Sequence, residues 1–251
     1  MENTTMENTR TKTTRNSLIL LLTAAIWGMA FVSQSKGMDY MHPFTFNGVR
    51  SLIGAASILV YILISRKIAG DKAAPLDWKL NVKAGLLCGI FLTIASTLQQ
   101  FGIKYTSVGK AGFITTLYII FVPMFGIFLK KKVAPVVWAA AVMAAVGMYL
   151  LCMTESLRLG AGDIMVFLCA IAFAIQIMTV DHYAARIDGA VVSCIQFTVC
   201  GVVCCIGALI WGQPTFGQLQ EGLGALLYAG VLSCGVGYTL QIVGQKGLNP
   251  T

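Results

Sequence analysis

Residues Thr97–Lys104 read TLQQFGIK and residues Thr239–Lys246 read TLQIVGQK, with five of the eight positions identical at a separation of 142 residues. Each copy closes an apolar run of membrane length and carries a glutamine near the end of that run. Repetition of such a segment indicates a protein built by duplication of a multi-span unit. Polar residues at matched positions further predict that the working groups lie inside the bilayer.

The composition is that of a membrane protein rather than of a soluble domain. Of the 251 residues, 57% are hydrophobic and 11% are charged, whereas about 25% of the residues in a soluble domain are charged. The apolar residues form long blocks without the alternation of transmembrane β-strands. The sequence therefore predicts an all-α polytopic membrane protein. The net charge of +8 comes from residues near the ends of the apolar blocks, which predicts no nucleic-acid partner.

Eight apolar blocks are long enough to cross a bilayer, which takes about 20 helical residues. A polar tail, residues 1–15, precedes them, and we expect this tail to be cytoplasmic and disordered. The predicted spans, numbered 1 to 8, are Ser17–Ser33, Phe44–Ser65, Val82–Gln100, Ala111–Phe128, Ala134–Cys152, Gly162–Val180, Gly189–Trp211 and Leu223–Val243.

The distribution of positive charge among the loops predicts the orientation. With the N-terminus inside, thirteen Lys and Arg residues lie on the inner side and four on the outer side. We therefore expect a multi-pass protein of the plasma membrane with a cytoplasmic N-terminus. The inner residues are Arg10, Lys12, Arg15, Arg66, Lys67, Lys72, Lys79, Lys83, Lys130, Lys131, Lys132, Arg186 and Lys246, and the outer ones are Lys36, Lys104, Lys110 and Arg158.

The duplication extends beyond the opening motif, because Phe46–Arg50 falls on Val192–Gln196 at a separation of 146 residues. Spans 1 to 5, within residues 16–154, then form one repeat, and residues 160–251 form a second repeat with spans 6 to 8 only. Because the first repeat has an odd number of spans, the second repeat enters the membrane from the opposite side and is inverted relative to the first. This is the inverted-repeat architecture of secondary transporters. We interpret the incomplete second repeat as a truncation, with completion by another chain as the alternative.

Four short motifs, taken together, carry a family resemblance. They are Ala25-Ile26-Trp27-Gly28 in span 1, Phe46-Asn47-Gly48-Val49-Arg50 in span 2, Leu98-Gln99-Gln100-Phe101-Gly102 at the end of span 3, and Val122-Pro123 in span 4. In order and spacing they resemble the drug/metabolite transporter superfamily, specifically its EamA-type permeases. The resemblance implies ten helices in two inverted five-helix repeats, with both ends cytoplasmic. Eight of these ten transmembrane helices are present here.

The resemblance also implies export or uptake of small metabolites or drugs through a central cavity. Apart from the two missing helices, this chain departs from the family at one motif. Lys130–Lys132 stands where many members carry a Gly-Glu pair after span 4. We expect this to be a variation at the membrane edge.

Polar side chains within the spans are the candidates for a binding site. A buried amide without a partner costs several kcal/mol, so each glutamine either faces a wet cavity or bonds to a neighbouring helix. Both interpretations remain open for Gln99 and Gln241, which occupy matched positions. The candidate substrate-binding residues are Trp27, Gln99, Gln100, Tyr118, Gln176, Tyr238 and Gln241.

Two further residues are candidates for a charge and a gate. Arg50 lies within span 2, either as a counter-charge for an anionic substrate or as a snorkelling or structural residue. Pro123 removes a backbone hydrogen bond from span 4 and is expected to bend it, either at a gate or for packing alone. No Asp or Glu lies mid-span. Because an internal carboxylate is lacking, we expect a neutral or amphipathic substrate moved by facilitated diffusion or exchange.

These observations predict a permease that moves small organic metabolites or drugs by alternating access. A truncated, non-transporting remnant or partner subunit is the alternative. A membrane enzyme is less favoured, because the two histidines fall on opposite sides and no catalytic motif is present. We expect no catalytic residue, metal or cofactor, and we interpret the eight cysteines as apolar filling. The expected partners are a small-molecule substrate and the lipid bilayer, and a homodimer stays open.

Overall fold

The computed structural model describes residues 2–70, 75–128, 135–153 and 160–245. Every regular element within these ranges is helical. Short irregular helices occupy Ala184–Arg186 (3₁₀) and Ala208–Gly212 and Tyr228–Gly237 (both π). The α-helices are α1 Glu2–Gly37, α2 Pro43–Ala69, α3 Trp78–Tyr105, α4 Val108–Thr116, α5 Tyr118–Phe128, α6 Pro135–Met153, α7 Ala161–Tyr183, α8 Gly189–Gly207, α9 Phe216–Glu221, α10 Leu223–Leu227 and α11 Tyr238–Gln245.

Seven of the eight predicted spans are confirmed as helices long and apolar enough to cross a membrane. They are Thr14–Gly37, Pro43–Ala69, Trp78–Tyr105, Val108–Ile127, Ala161–Arg186, Gly189–Gly212 and Leu223–Gln241. The protein is therefore an integral, multi-pass membrane protein. Span 5 is helical as α6, but its described apolar stretch, Val137–Gly147, is shorter than the other spans.

The expected disorder of the N-terminal tail is wrong for the described residues, because α1 begins at Glu2. Each residue added to an existing helix gains one hydrogen bond, whereas the first turn fixes several residues for a single bond. The apolar part of α1 supplies the nucleus from which the polar residues continue the helix. Of the other predicted features, Lys130–Lys132, Arg158 and Lys246 lie outside the described residues.

Two sets of contacts define the opposite ends of the bundle. At one, the Asp188 end, the Arg66 guanidinium lies 3.8 Å from the Asp188 carboxylate, and the Asn81 side-chain oxygen accepts from the Asp188 backbone N–H at 2.9 Å. At the other, the Asp163 end, the Thr106 hydroxyl donates to Asp163 and the Lys110 ammonium lies 3.9 Å from the same carboxylate. Residues predicted to lie on the two sides of the membrane therefore gather at two different ends.

The duplicated segments run in opposite directions between these ends. Helix α3 starts at the Asp188 end and finishes at the Asp163 end. The last span, which holds the second copy of the motif, starts at the Asp163 end, where Gly222 packs against Met41. Helices α2 and α8 are likewise matched in sequence and antiparallel. Matched segments of opposite direction are what an inverted repeat requires.

Helix α6 carries the chain back across the bundle. The span formed by α4 and α5 starts at the Asp163 end and runs away from it alongside α7, with the Phe121 and Phe167 rings 5.5 Å apart. Helix α7 begins again at the Asp163 end. A crossing is therefore needed between Phe128 and Ala161, and α6 is the described helix in that interval.

Glycines allow the central helices to approach closely. Helix α2 packs along α8, and a Cβ added at Gly48 would lie only 2.7 Å from the Cys205 sulfur and 2.9 Å from its backbone nitrogen. Gly85 and Gly89 of α3 face the side chains of Ile195 and Val199 of α8 in the same way. Small residues that bring backbones together are the usual basis of helix association in membranes.

The N-terminus of α2 carries a titratable cap at the Asp163 end. Nδ1 of His42 accepts from the Phe44 backbone N–H at 3.3 Å, and the ring packs 5.5 Å from Phe101. Burial, and then the positive charge of Lys104, lower the pKa of His42 below 6.5. The cap needs Nδ1 unprotonated, so the fold favours neutral histidine.

We predict that acid weakens this cap. The stabilisation is fully present above pH 6.5 and decreases as the pH falls toward the lowered folded pKa. His42→Asn keeps a capping oxygen but cannot titrate. Between about pH 7.5 and about pH 5, the melting temperature of the wild type in detergent should fall more than that of His42→Asn. Equal falls in both proteins would contradict the assignment.

Candidate functional site

A buried polar cluster lies where α2, α3 and α8 meet, and Asn47 is its centre. The Asn47 amide nitrogen donates to Ser96 Oγ at 3.1 Å and lies 3.2 Å from the Cys204 sulfur. Its oxygen accepts from Arg50 Nε at 2.9 Å. The Cys200 sulfur completes the cluster, 3.3 Å from Ser96 Oγ. The cysteines expected to be apolar filling therefore also contribute polar contacts at this point.

Arg50 is buried rather than snorkelling, with 6% of its surface exposed. Its guanidinium carbon lies 5.7 Å from the centre of the Phe46 ring, an arrangement in which the ring face attracts the cation. The two ion pairs among the described residues are those of Arg66 with Asp188 and Lys110 with Asp163, both at bundle ends. Within the described part of the chain, Arg50 thus has no carboxylate partner.

Gln99 lies beside an interruption in the fourth span. Its amide nitrogen donates to Thr115 Oγ1 at 3.3 Å, and that hydroxyl donates to the Ala111 carbonyl at 2.7 Å. Helix α4 ends at the next residue, Thr116, and α5 starts at Tyr118. Gln99 and Tyr118, both predicted site residues, are therefore brought to the same break. Discontinuous helices of this kind line the substrate sites of many transporters.

The interruption of this span and Pro123 lie at different positions. Pro123 is buried within α5, and the interruption lies at Leu117. The Leu117 N–H bonds to the carbonyls of Ile114 and Thr115, which is the tighter geometry of a closing helical turn. Both roles expected for Pro123, bending the span and gating, stay predictions.

Aromatic side chains join the first and last spans. The rings of Trp27 and Tyr238 lie 5.2 Å apart, and the ring of Phe197 lies 4.7 Å from that of Tyr238. The Trp27 indole donates to the Ser233 carbonyl at 3.2 Å. Two predicted residues, Trp27 and Tyr238, are therefore in direct contact.

Of the three remaining predicted glutamines, Gln100 and Gln176 each bond to another glutamine, and Gln241 is described by its position alone. Gln100 is fully buried and donates to the Gln34 backbone carbonyl at 3.2 Å. Gln176 donates to the Gln196 oxygen at 2.9 Å, so these residues bond α7 to α8. Gln241 is half-buried on α11, which packs against α1 and α8. Gln100 and Gln176 thus have the interhelical bonds that the packing interpretation requires.

These positions can be compared with those of known proteins. A model of the EamA-like transporter family matches residues 15–153 and 160–251. The chain belongs to the EamA-like transporter family. The resemblance inferred from the four motifs is therefore confirmed, and the family's name is that of membrane transporters.

Relatives of this EamA-like chain carry transporter names as well. An uncharacterized transporter of Archaeoglobus fulgidus is 31% identical over 171 residues, which is 66% of this chain and 48% of the relative. The uncharacterized transporter YwfM of Bacillus subtilis is 26% identical over 236 residues, 92% of this chain and 77% of the relative. An uncharacterized transporter of Clostridium kluyveri is 25% identical over 236 residues, 88% of this chain and 74% of the relative. The chain spans about half the length of the archaeal relative it matches.

Sequence reasoning missed the residue at the centre of the EamA-like chain's polar cluster. Asn47 lies three residues before Arg50, a spacing that places both on one helix face. That spacing was available in the Phe46–Arg50 motif and could have identified the pair. Gln34 and Gln196, the partners of Gln100 and Gln176, carried no such signal, because they lie on other helices.

Proposed function

We propose that the protein is a secondary transporter that moves small organic metabolites or drugs across the plasma membrane by alternating access. The observation that carries the proposal is the pair of matched segments that run in opposite directions. Two inverted units can exchange conformations, and this exchange opens a midplane site first to one side and then to the other. We propose residues 16–154 and 160–251 as these units, and an N-terminus in the cytoplasm.

The packing of the helices supports a shared interior between the two units. Helices α2 and α8, which are matched in sequence, pack directly against each other, and α3 packs against α7 and α8. The last span packs against α1 and α2 in the corresponding way. We propose a substrate site near this centre, bounded by Gln99 and Tyr118 on one side and by Trp27 and Tyr238 on the other.

Flux measurements test the proposal and the site together. The purified chain is reconstituted in liposomes, and uptake of a panel of labelled metabolites is measured. Gln99→Leu removes the donor to Thr115, and Gln241→Leu changes the matched position. Each substitution removes one amide that we propose to bond the substrate, and loss of one such hydrogen bond should decrease transport about tenfold. Gln220→Leu, at an exposed glutamine of α9, is the matched control and should transport normally.

The outcomes separate two kinds of failure. Wild-type liposomes that take up nothing from the panel would contradict the proposed transport. Transport in both variants at wild-type rates, from folded protein, would leave the transporter intact and overturn the site assignment. A homodimer and the absence of a nucleic-acid partner stay predictions.

A further inference from the structure

The side chain of Arg50 is a buried cation with part of its hydrogen-bonding capacity unused. A guanidinium has five N–H donors in a planar fork. Nε is committed to Asn47. Among the described residues, the two terminal nitrogens have no hydrogen-bond or ion-pair partner. The edge formed by the two terminal nitrogens, which can bind an oxyanion in a bidentate manner, is therefore free.

The carboxylates of the described residues do not supply the missing charge. Where the structure describes them, the Asp and Glu residues lie in loops or near helix ends, and Asp71 and Glu155 lie outside the described residues. Asp163, the buried one among the described residues, is already bonded to Thr106, the Gly160 N–H and Lys110 at the far end of α3. A buried charge without a counter-ion is strongly unfavourable. Because the Arg50 guanidinium is buried among packed helices without a carboxylate partner in the described residues, an anion from outside the chain is expected to bind it.

Charge and geometry narrow the class of that anion. A single guanidinium balances one negative charge, which a carboxylate carries. A phosphate monoester carries about −1.5 to −2 at neutral pH and would leave excess negative charge in the membrane interior. The surroundings are aromatic as well as polar. Phe46 lies against the guanidinium, whose carbon is 5.7 Å from the centre of the ring.

We propose that Arg50 binds the carboxylate of the transported substrate, and that the substrate class is the small amphipathic monocarboxylates. The inference rests on the proposed transport function and makes it more specific. It narrows the expectation of a neutral or amphipathic substrate, which was based on the lack of internal acids alone, to amphipathic molecules with one negative charge. In the matched position of the second repeat stands Gln196, which is neutral and bonded to Gln176. The two repeats therefore provide one charged anchor and not two.

The test compares carboxylic acids with their uncharged amides. The probes are acetate, benzoate, phenylacetate and indole-3-acetate, each beside its amide. Binding to the purified full chain in detergent is read as a shift in melting temperature, and flux of the same probes is read in liposomes. Arg50→Gln keeps a donor for Asn47 and removes the charge. Arg50→Lys keeps the charge and loses the planar fork. Arg66→Gln removes an arginine at the Asp188 end and is the matched control.

We expect at least one acid to stabilise the wild type and Arg66→Gln more than its amide does. Arg50→Gln should lower the affinity for that acid about thirtyfold or more, and Arg50→Lys should recover part of it. Ligand-free Arg50→Gln should melt no lower than the wild type, because an uncompensated charge has been removed.

Two results would overturn the proposal. One is the lack of any acid-selective shift that depends on Arg50. The other is a large fall in the ligand-free melting temperature of Arg50→Gln together with unchanged acid selectivity, which would make Arg50 structural. Flux that persists in Arg50→Gln with wild-type selectivity would reject the anchor and leave the transporter standing. Arg50-dependent binding without wild-type flux would keep the site and reject transport.

Discussion

Gly48→Leu is expected to eliminate folded protein. At this position α2 meets α8 so closely that even a Cβ would lie 2.7 Å from the Cys205 sulfur and 2.9 Å from the Cys205 backbone nitrogen. A side-chain contact can be relieved by a rotamer change, but a backbone contact requires the whole helix to move. Overpacking costs about 1–3 kcal/mol where neighbours can relax, and here two packed helices would have to separate. The yield of monodisperse protein in detergent measures the effect.

A glycine elsewhere in the bundle gives the control. A Cβ at Gly28 of α1 would meet nothing within 4 Å. Gly28→Leu therefore adds the same side chain to an exposed helix face, and we expect a normal yield. Gly201→Leu should be milder than Gly48→Leu, because the added Cβ would lie 2.6 Å from the movable Leu52 side chain but 3.2 Å from the Leu52 backbone nitrogen. Normal recovery of Gly48→Leu would show that α2 and α8 do not need this close approach.

Asn47→Leu is expected to have the second largest effect on stability, because it leaves the buried Arg50 charge without its hydrogen-bond partner. The substitution removes the acceptor for Arg50 Nε and the bonds to Ser96 and Cys204. Polar bonds between membrane helices average only about 0.6 kcal/mol, but a buried charge that loses its partner costs about 3–5 kcal/mol. The melting temperature in detergent should fall accordingly. Leucine has a similar volume, so a cavity does not explain a large fall.

Asn47→Asp is the companion variant. A carboxylate in place of the amide oxygen, 2.9 Å from Nε, would neutralise Arg50 from within the protein. We expect this variant to fold and to lose binding of carboxylic acids, because the cation is already balanced. Equal melting temperatures for Asn47→Leu and the wild type would contradict the central role of Asn47. Unchanged acid binding by Asn47→Asp would contradict the role of the Arg50 charge.

Much of the fold could be predicted because span formation depends on each segment alone. An apolar block of about 20 residues must be helical in a bilayer whatever its neighbours are. The ends extended beyond the prediction where polar residues cap or continue a helix. Asp77, for example, accepts from the Leu80 N–H and lets α3 begin before the apolar block. This cap was visible in the sequence, since Asp is a preferred N-cap residue.

The candidate site was less predictable because it depends on how helices are rotated against one another. The pattern of Gln99 and Gln100 in α3 could not indicate that one faces Thr115 and the other Gln34. The contact of Trp27 with Tyr238 joins residues far apart in the chain, and neither residue's local sequence specifies the other. The π-helix at Tyr228–Gly237 could not be predicted from the sequence. This segment has no proline, the residue that most often marks a disturbed helix.

The π-helix at Tyr228–Gly237 directly precedes Tyr238 and Gln241, so a change in its winding would move both residues. Each residue of an α-helix advances the chain by about 100° around the axis, and a π-helix accommodates surplus residues in wider turns. Rewinding Tyr228–Gly237 as an ordinary α-helix would therefore turn α11 about its own axis and shift it along that axis. Tyr238 would leave the face that meets Trp27, and the indole bond to Ser233 would have to be remade. An axial rotation of this kind would change which side chains the last span presents while its neighbours stayed in place.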